Sequence, residues 1–126
     1  MIIVFLAIGG VLGTVARYFI GGWAHSEAGT LPWGTLAVNV LGSLILGFSI
    51  QFTEAVEISP EVRVMITVGF CGALTTFSTF SYETVALIRA GDAGRAVLYA
   101  FGSLSLGLAA ILTGVTLAAY LTRHTG

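Results

Sequence analysis

Four apolar segments follow one another along this chain, from Ile2 to Gly22, Gly34 to Glu54, Val62 to Ala90 and Arg95 to Leu121. Each matches or exceeds the roughly 20 residues that carry a helix across about 30 Å of hydrocarbon. In that solvent no water satisfies backbone N–H and C=O groups, so a spanning segment of this kind has to be helical. The sequence therefore predicts an all-α integral membrane protein, with residues 1–126 forming a single four-helix transmembrane domain. The connections are a polar loop ending in Leu31-Pro32-Trp33, a short acidic turn with Ser59-Pro60, and a Gly91-Asp92-Ala93-Gly94 turn. Pro32 and Trp33 suit an interfacial helix start, and Pro60 suits the first turn of the third helix.

Composition supports lipid as the surrounding medium. Only 9% of the residues are charged and 56% are hydrophobic, against roughly one-quarter charged in soluble domains. Lysine is absent, and five arginines in a chain of net charge −1 form no basic stripe, which removes the electrostatic basis for nucleic-acid binding. Cys71 stands alone inside an apolar segment; it has no partner for an intrachain disulfide and reads as filler. The stretch from Met1 to Ala24 lacks a basic leading region and carries Arg17 and Tyr18 at its far end, so it reads as a retained first helix and not a cleaved signal. His25 in a loop and His124 in the tail are placed for solvation.

The third segment is too long for one straight helix, because its 29 residues would rise about 43 Å. Its centre, Gly69-Phe-Cys-Gly-Ala-Leu-Thr-Thr-Phe-Ser-Thr-Phe-Ser81, puts glycines and hydroxyls where a membrane helix should be most apolar. Gly69 and Gly72 weaken a helix, and Thr75, Thr76, Ser78 and Thr79 offer the backbone competing hydrogen bonds. A break is therefore expected near the middle of the segment. Carbonyls released there either ligate a cation or simply mark a kinked helix.

Other polar residues recur at a four-residue step, which places them on one helix face. The second helix carries Thr35, Asn39, Ser43, Gly47 and Gln51; the fourth carries Tyr99, Ser103 and Gly107; the first carries Gly9, Gly13, Arg17 and Gly21. Close helix packing explains the small residues. Asn39 needs partners in lipid, structural or functional, and Arg17 either snorkels to the headgroups or serves a site. Glu83 lies deeper and needs a partner or water. Four spans place Arg63 and Arg123 on one side and Arg17, Arg89 and Arg95 on the other. So small a bias allows insertion both ways, and an antiparallel homodimer follows as the simplest assembly.

The Gly69 to Ser81 motif with Glu83 after it resembles the signature of the Fluc (CrcB) fluoride channels. The likeness extends to Gly9-Gly10-Val-Leu-Gly13 with Arg17-Tyr18, and to Trp33-Gly-Thr-Leu-Ala-Val-Asn39-Val-Leu-Gly42. It implies an antiparallel dual-topology dimer in the cell's plasma or inner membrane, with two pores passing fluoride passively down its electrochemical gradient. It also implies a structural sodium ion at the dimer centre, held by the carbonyls of Gly72 and Thr75. By the same resemblance Phe77 and Phe80 turn ring edges toward fluoride, Asn39 donates N–H bonds to it, and Thr76, Tyr99 and Ser103 join a hydroxyl track. Arg17 would raise anion density in a vestibule. Gly107 stands where some relatives place a further hydroxyl, and Ala73 replaces a glycine common in the motif. As a bare pattern, two phenylalanines three residues apart are also ordinary core packing.

A small dual-topology proton-coupled multidrug exporter is the main alternative. It would need a carboxylate in the first helix, which has none. A membrane hydrolase using Ser78 or Cys71 has no histidine base within the spans. A non-transporting assembly subunit would account for the glycine stripes but not for the hydroxyl and aromatic cluster.

Overall fold

The computed structural model describes residues 1–23 and 31–124; the His25 reading lies outside them. Among the described residues the elements are α1 (Ile2–Trp23), α2 (Trp33–Ala55), α3 (Pro60–Val64), a π-helical segment (Met65–Cys71), α4 (Gly72–Leu74), α5 (Phe77–Arg89) and α6 (Ala93–His124). Together they make four helical spans long and apolar enough to cross a membrane: Ile2–Gly22, Trp33–Ala55, Pro60–Arg89 and Ala93–Arg123. The protein is an all-α membrane protein whose third span is broken, as its length and polarity require.

The helix starts follow local chemistry. Pro32 occupies the position before Trp33. Ser59 caps α3 by accepting from the Val62 N–H, with Pro60 in the first turn where its missing N–H costs nothing. Asp92 receives the Arg95 N–H at 3.1 Å and so caps α6. The chain enters that cap through Gly91, whose φ of +82° is a left-handed conformation natural to glycine. Gly94, expected in the turn, instead belongs to α6, which runs longer at both ends than the sequence suggests.

Of the glycines and hydroxyl residues expected to break the span, it is Thr75 and Thr76 that leave the helix. Gly72 is helical, with φ −65° and ψ −34°. Thr75 has ψ 155°, and Thr76 has φ −149° and ψ 111°, both extended. β-Branched side chains favour that conformation, and the hydroxyls compete for backbone partners. At the end of α4, Thr75 Oγ1 donates back to the Cys71 carbonyl at 2.9 Å. Thr76 Oγ1 accepts from the Thr79 N–H at 3.2 Å, which caps α5. One helix thus stops and another starts within two residues.

The glycines do a different job. An added Cβ on Gly9 would strike the Met65 carbonyl, and one on Gly13 would strike the Phe70 carbonyl. A Cβ on Gly69 would come within 2.8 Å of the Leu6 carbonyl oxygen. These positions let α1 lie backbone against backbone on the π-helical segment. Gly47 and Gly114 do the same between α2 and α6, where an added Cβ would strike the Ile111 and Leu44 carbonyls respectively. The buried core is correspondingly small and consists of Val38, Cys71, Leu74, Ala96, Tyr99, Ala110 and Ala118. Cys71 is buried, in keeping with a packing role.

Candidate functional site

The extended Thr75-Thr76 link frees backbone groups that lipid cannot satisfy, so their partners define the site. Asn39 on α2 takes both groups of Thr76: its Oδ1 accepts the Thr76 N–H at 2.8 Å, and its Nδ2 donates to the Thr76 carbonyl at 3.3 Å. The carboxamide thus pairs with the break as a neighbouring strand would. One N–H of Asn39 remains for another acceptor.

Diverting the Thr76 N–H has a second effect. In an unbroken helix that group would donate to the Gly72 carbonyl four residues back; with Asn39 as its acceptor, the Gly72 oxygen is released from the ladder. Gly72 is exposed, and no atom lies within 4 Å of a Cβ built on it. Arg17 reaches inward from α1 and donates from Nη1 to the Thr75 carbonyl at 3.3 Å. It therefore does not snorkel to the headgroups; it satisfies a freed carbonyl.

Two cavities flank the link, and Thr76 lines both. The first, of about 420 Å³, is bordered by Arg17, Tyr18, Thr35, Thr79 and Glu83. Here Glu83 finds the partners its depth requires: Thr35 Oγ1 donates to Oε1 and Tyr99 OH donates to Oε2, each at 2.7 Å. Thr35 was a member of the α2 stripe with no assigned role. Tyr99 is buried, and its hydroxyl is taken by Glu83. Tyr99 is not among the residues bordering the second cavity, whereas Ser103 is.

Among the described residues, none bordering that second cavity, of about 320 Å³, has an ionisable side chain. Its polar wall is Asn39, Ser43, Thr75, Thr76 and Ser103, and its apolar wall includes Phe77, Phe80 and Leu104. The Ser103 hydroxyl oxygen is buried with no hydrogen-bond partner among the described residues. Phe77 and Phe80 have ring centroids 5.8 Å apart and tilted by 42°, and Phe80 packs on Tyr99 at 5.3 Å. Phe80 is half-buried, whereas Phe77 is 77% exposed on a single chain. The first residues of α5, with N–H groups that have no intrahelical acceptor, border the same space. That helix end carries partial positive charge.

The folded arrangement thus unites Asn39, Thr76, Phe77, Phe80 and Ser103 on one cavity, Arg17 on the other, and Gly72 and Thr75 at the turn between them. The motif underlying this arrangement also settles what the protein is related to. A profile of the family described as "CrcB-like protein, Camphor Resistance (CrcB)" matches residues 4–115. The chain belongs to the CrcB family. Among its relatives in that family, a protein of Thermus thermophilus is 45% identical over 113 residues, covering 89% of each chain. One from Methanopyrus kandleri is 48% identical over 114 residues, covering 90% of this chain and 86% of the relative. One from Acidobacterium capsulatum is 45% identical over 112 residues, covering 87% and 90%. All three carry the name fluoride-specific ion channel FluC. With four apolar spans and relatives named as ion channels, the chain is a multi-pass plasma-membrane protein and not an enzyme.

Proposed function

We propose that the protein is a fluoride-selective channel that exports cytoplasmic fluoride passively down its electrochemical gradient. The observation that carries this reading is the cavity bordered by Asn39, the buried Ser103 hydroxyl and the first turn of α5, which brings Phe77 and Phe80 to the same space and, among the described residues, adds no ionisable side chain. A small, strongly hydrated anion needs its water replaced by donors. A carboxamide N–H, hydroxyls and a helix N-terminus are such donors. The positive edges of aromatic rings suit an anion as well. A larger halide gains less from each donor and requires more room. Arg17 raises the anion concentration in the neighbouring cavity. The names borne by close relatives support the same substrate.

A proton-coupled exporter is disfavoured by the same geometry. Its carboxylate would have to face the substrate, whereas Glu83 is bonded to two hydroxyls and lies outside the charge-free cavity. Fluoride and chloride efflux from proteoliposomes tests the reading. Fluoride efflux without chloride efflux is expected, and Phe77→Ile or Phe80→Ile should lower it about tenfold or more while apolar volume is kept. Equal fluxes of the two ions, or variants that conduct like wild type, would contradict it.

The working unit in this reading is an antiparallel dual-topology homodimer with two pores. Ser78, Thr79, the Gly72 backbone and the Phe77 and Tyr82 rings are exposed on one chain, with the Ser78 and Thr79 hydroxyls hydrogen-bonded with Thr76 Oγ1. Polar groups in that position would be costly against lipid, so a second copy is their natural cover. The released Gly72 carbonyl and the Thr75 carbonyl fit a hard cation such as sodium, which prefers oxygen donors. Two oxygens make only part of a shell, which a second copy would complete. Thr75 shares its oxygen with Arg17, leaving one lone pair for a cation. A sodium ion bound there would supply charge that favours a nearby anion. The assembly is read from purified protein: a dimer that melts lower when N-methylglucamine replaces sodium, and a tail cysteine labelled from both faces of intact cells. A monomer, melting indifferent to sodium, or one-sided labelling would contradict the corresponding part.

A further inference from the structure

Gly107 leaves a gap in the hydroxyl series of α6, one turn beyond Ser103. A Cβ built on Gly107 meets one neighbour within 4 Å, the Ser43 hydroxyl oxygen of α2 at 3.7 Å. Ser43 stands one turn beyond Asn39, as Gly107 stands one turn beyond Ser103, and all four border the charge-free cavity. Two ladders with a four-residue step therefore face each other, and the rung missing from α6 is present on α2. Among the described residues no hydrogen bond engages the Ser43 hydroxyl. In the same cavity Ser103 also keeps an unpartnered buried oxygen. Two uncommitted hydroxyls in a cavity floored by leucine and isoleucine are costly unless a polar occupant uses them.

We propose that Ser43 is an anion-ligating residue of the permeation path, donating its hydroxyl where Gly107 supplies none. This rests on the fluoride-channel reading above. An ion leaving the Asn39 N–H passes next to Ser43 and Ser103, which lie on opposing helices one turn apart along the cavity. The hydroxyl on α2 keeps the donor series continuous past the gap.

The test is fluoride efflux from proteoliposomes, made with dimer content and melting temperature measured on each sample. Ser43→Ala should lower the rate by about tenfold or more, the size expected for losing one hydrogen bond to a charged group. Ser43→Thr keeps the hydroxyl and should conduct within about threefold of wild type, whereas a role in packing alone would make the larger side chain the worse variant. The decisive variant is Ser43→Ala combined with Gly107→Ser, which returns a hydroxyl from the opposing helix and should recover most of the lost rate. Ser105→Ala, on the exposed face of α6, should leave the rate unchanged. A wild-type rate for Ser43→Ala, or a double variant no faster than Ser43→Ala, would overturn the assignment while leaving fluoride conduction by the wild type intact. Absence of wild-type fluoride efflux would instead overturn the channel reading and this assignment with it.

Discussion

Replacing Asn39 with Leu is expected to abolish fluoride efflux and to lower stability in the same sample. The carboxamide holds both the N–H and the carbonyl of Thr76. Leucine would leave two backbone groups unpaired, each costing about 1–3 kcal/mol. It would also remove the remaining N–H from the cavity. A loss of about 100-fold in rate corresponds to only about 2.7 kcal/mol, so the combined effect should exceed that. Asn39→Asp separates the two roles. Its carboxylate still accepts the Thr76 N–H, but it cannot donate to the Thr76 carbonyl when ionised and it repels an anion. A folded, non-conducting protein is expected for that variant. Thermal unfolding measured beside efflux checks both, and wild-type flux in either would remove Asn39 from the path.

The second large effect concerns stability and lies far from the cavity. Gly9→Ala and Gly13→Ala should each destabilise the protein by roughly 1–3 kcal/mol or more, because the added methyl meets backbone that cannot rotate away. At Gly13 it would also lie 3.0 Å from the Ala73 Cβ and 3.1 Å from the Leu74 nitrogen. Gly10→Ala serves as the comparison, since nothing lies within 4 Å of a Cβ at that position. A neutral to slightly stabilising change is expected there, because alanine is the better helix former by about 1 kcal/mol. Unfolding in mixed micelles separates the cases. Equal shifts for all three variants would mean that α1 does not nest on the π-helical segment.

The spans were legible because lipid leaves the backbone a single choice, and hydropathy over some 20 residues reports it directly. The existence of a break was legible from the length of the third segment together with the glycines and hydroxyls at its centre. Which of those residues would leave the helix was not: Gly69 and Gly72 stay helical, and the extended residues are Thr75 and Thr76. Two β-branched hydroxyl residues with Asn39 across the interface decide the position. The π-helical segment from Met65 to Cys71, on which α1 packs closely through Gly9 and Gly13, had no sequence signal. Pairings between helices were equally hidden. The stripe on α2 showed that Thr35, Asn39 and Ser43 share a face, but not that they meet Glu83, Thr76 and the gap at Gly107. Whether Arg17 snorkels or serves a site stayed open in the sequence because its partner is a carbonyl freed only once the helix is broken.

Passive, fluoride-selective conduction is tested most directly by the reversal potential across a planar bilayer containing purified protein. With a tenfold fluoride gradient and equal chloride and pH on both sides, the current should reverse near the Nernst value of about 59 mV for a monovalent ion. It should stay there when a chloride or proton gradient is added. A reversal potential that follows chloride, or one that moves with the proton gradient, would contradict a fluoride channel and point to a non-selective pore or a coupled transporter.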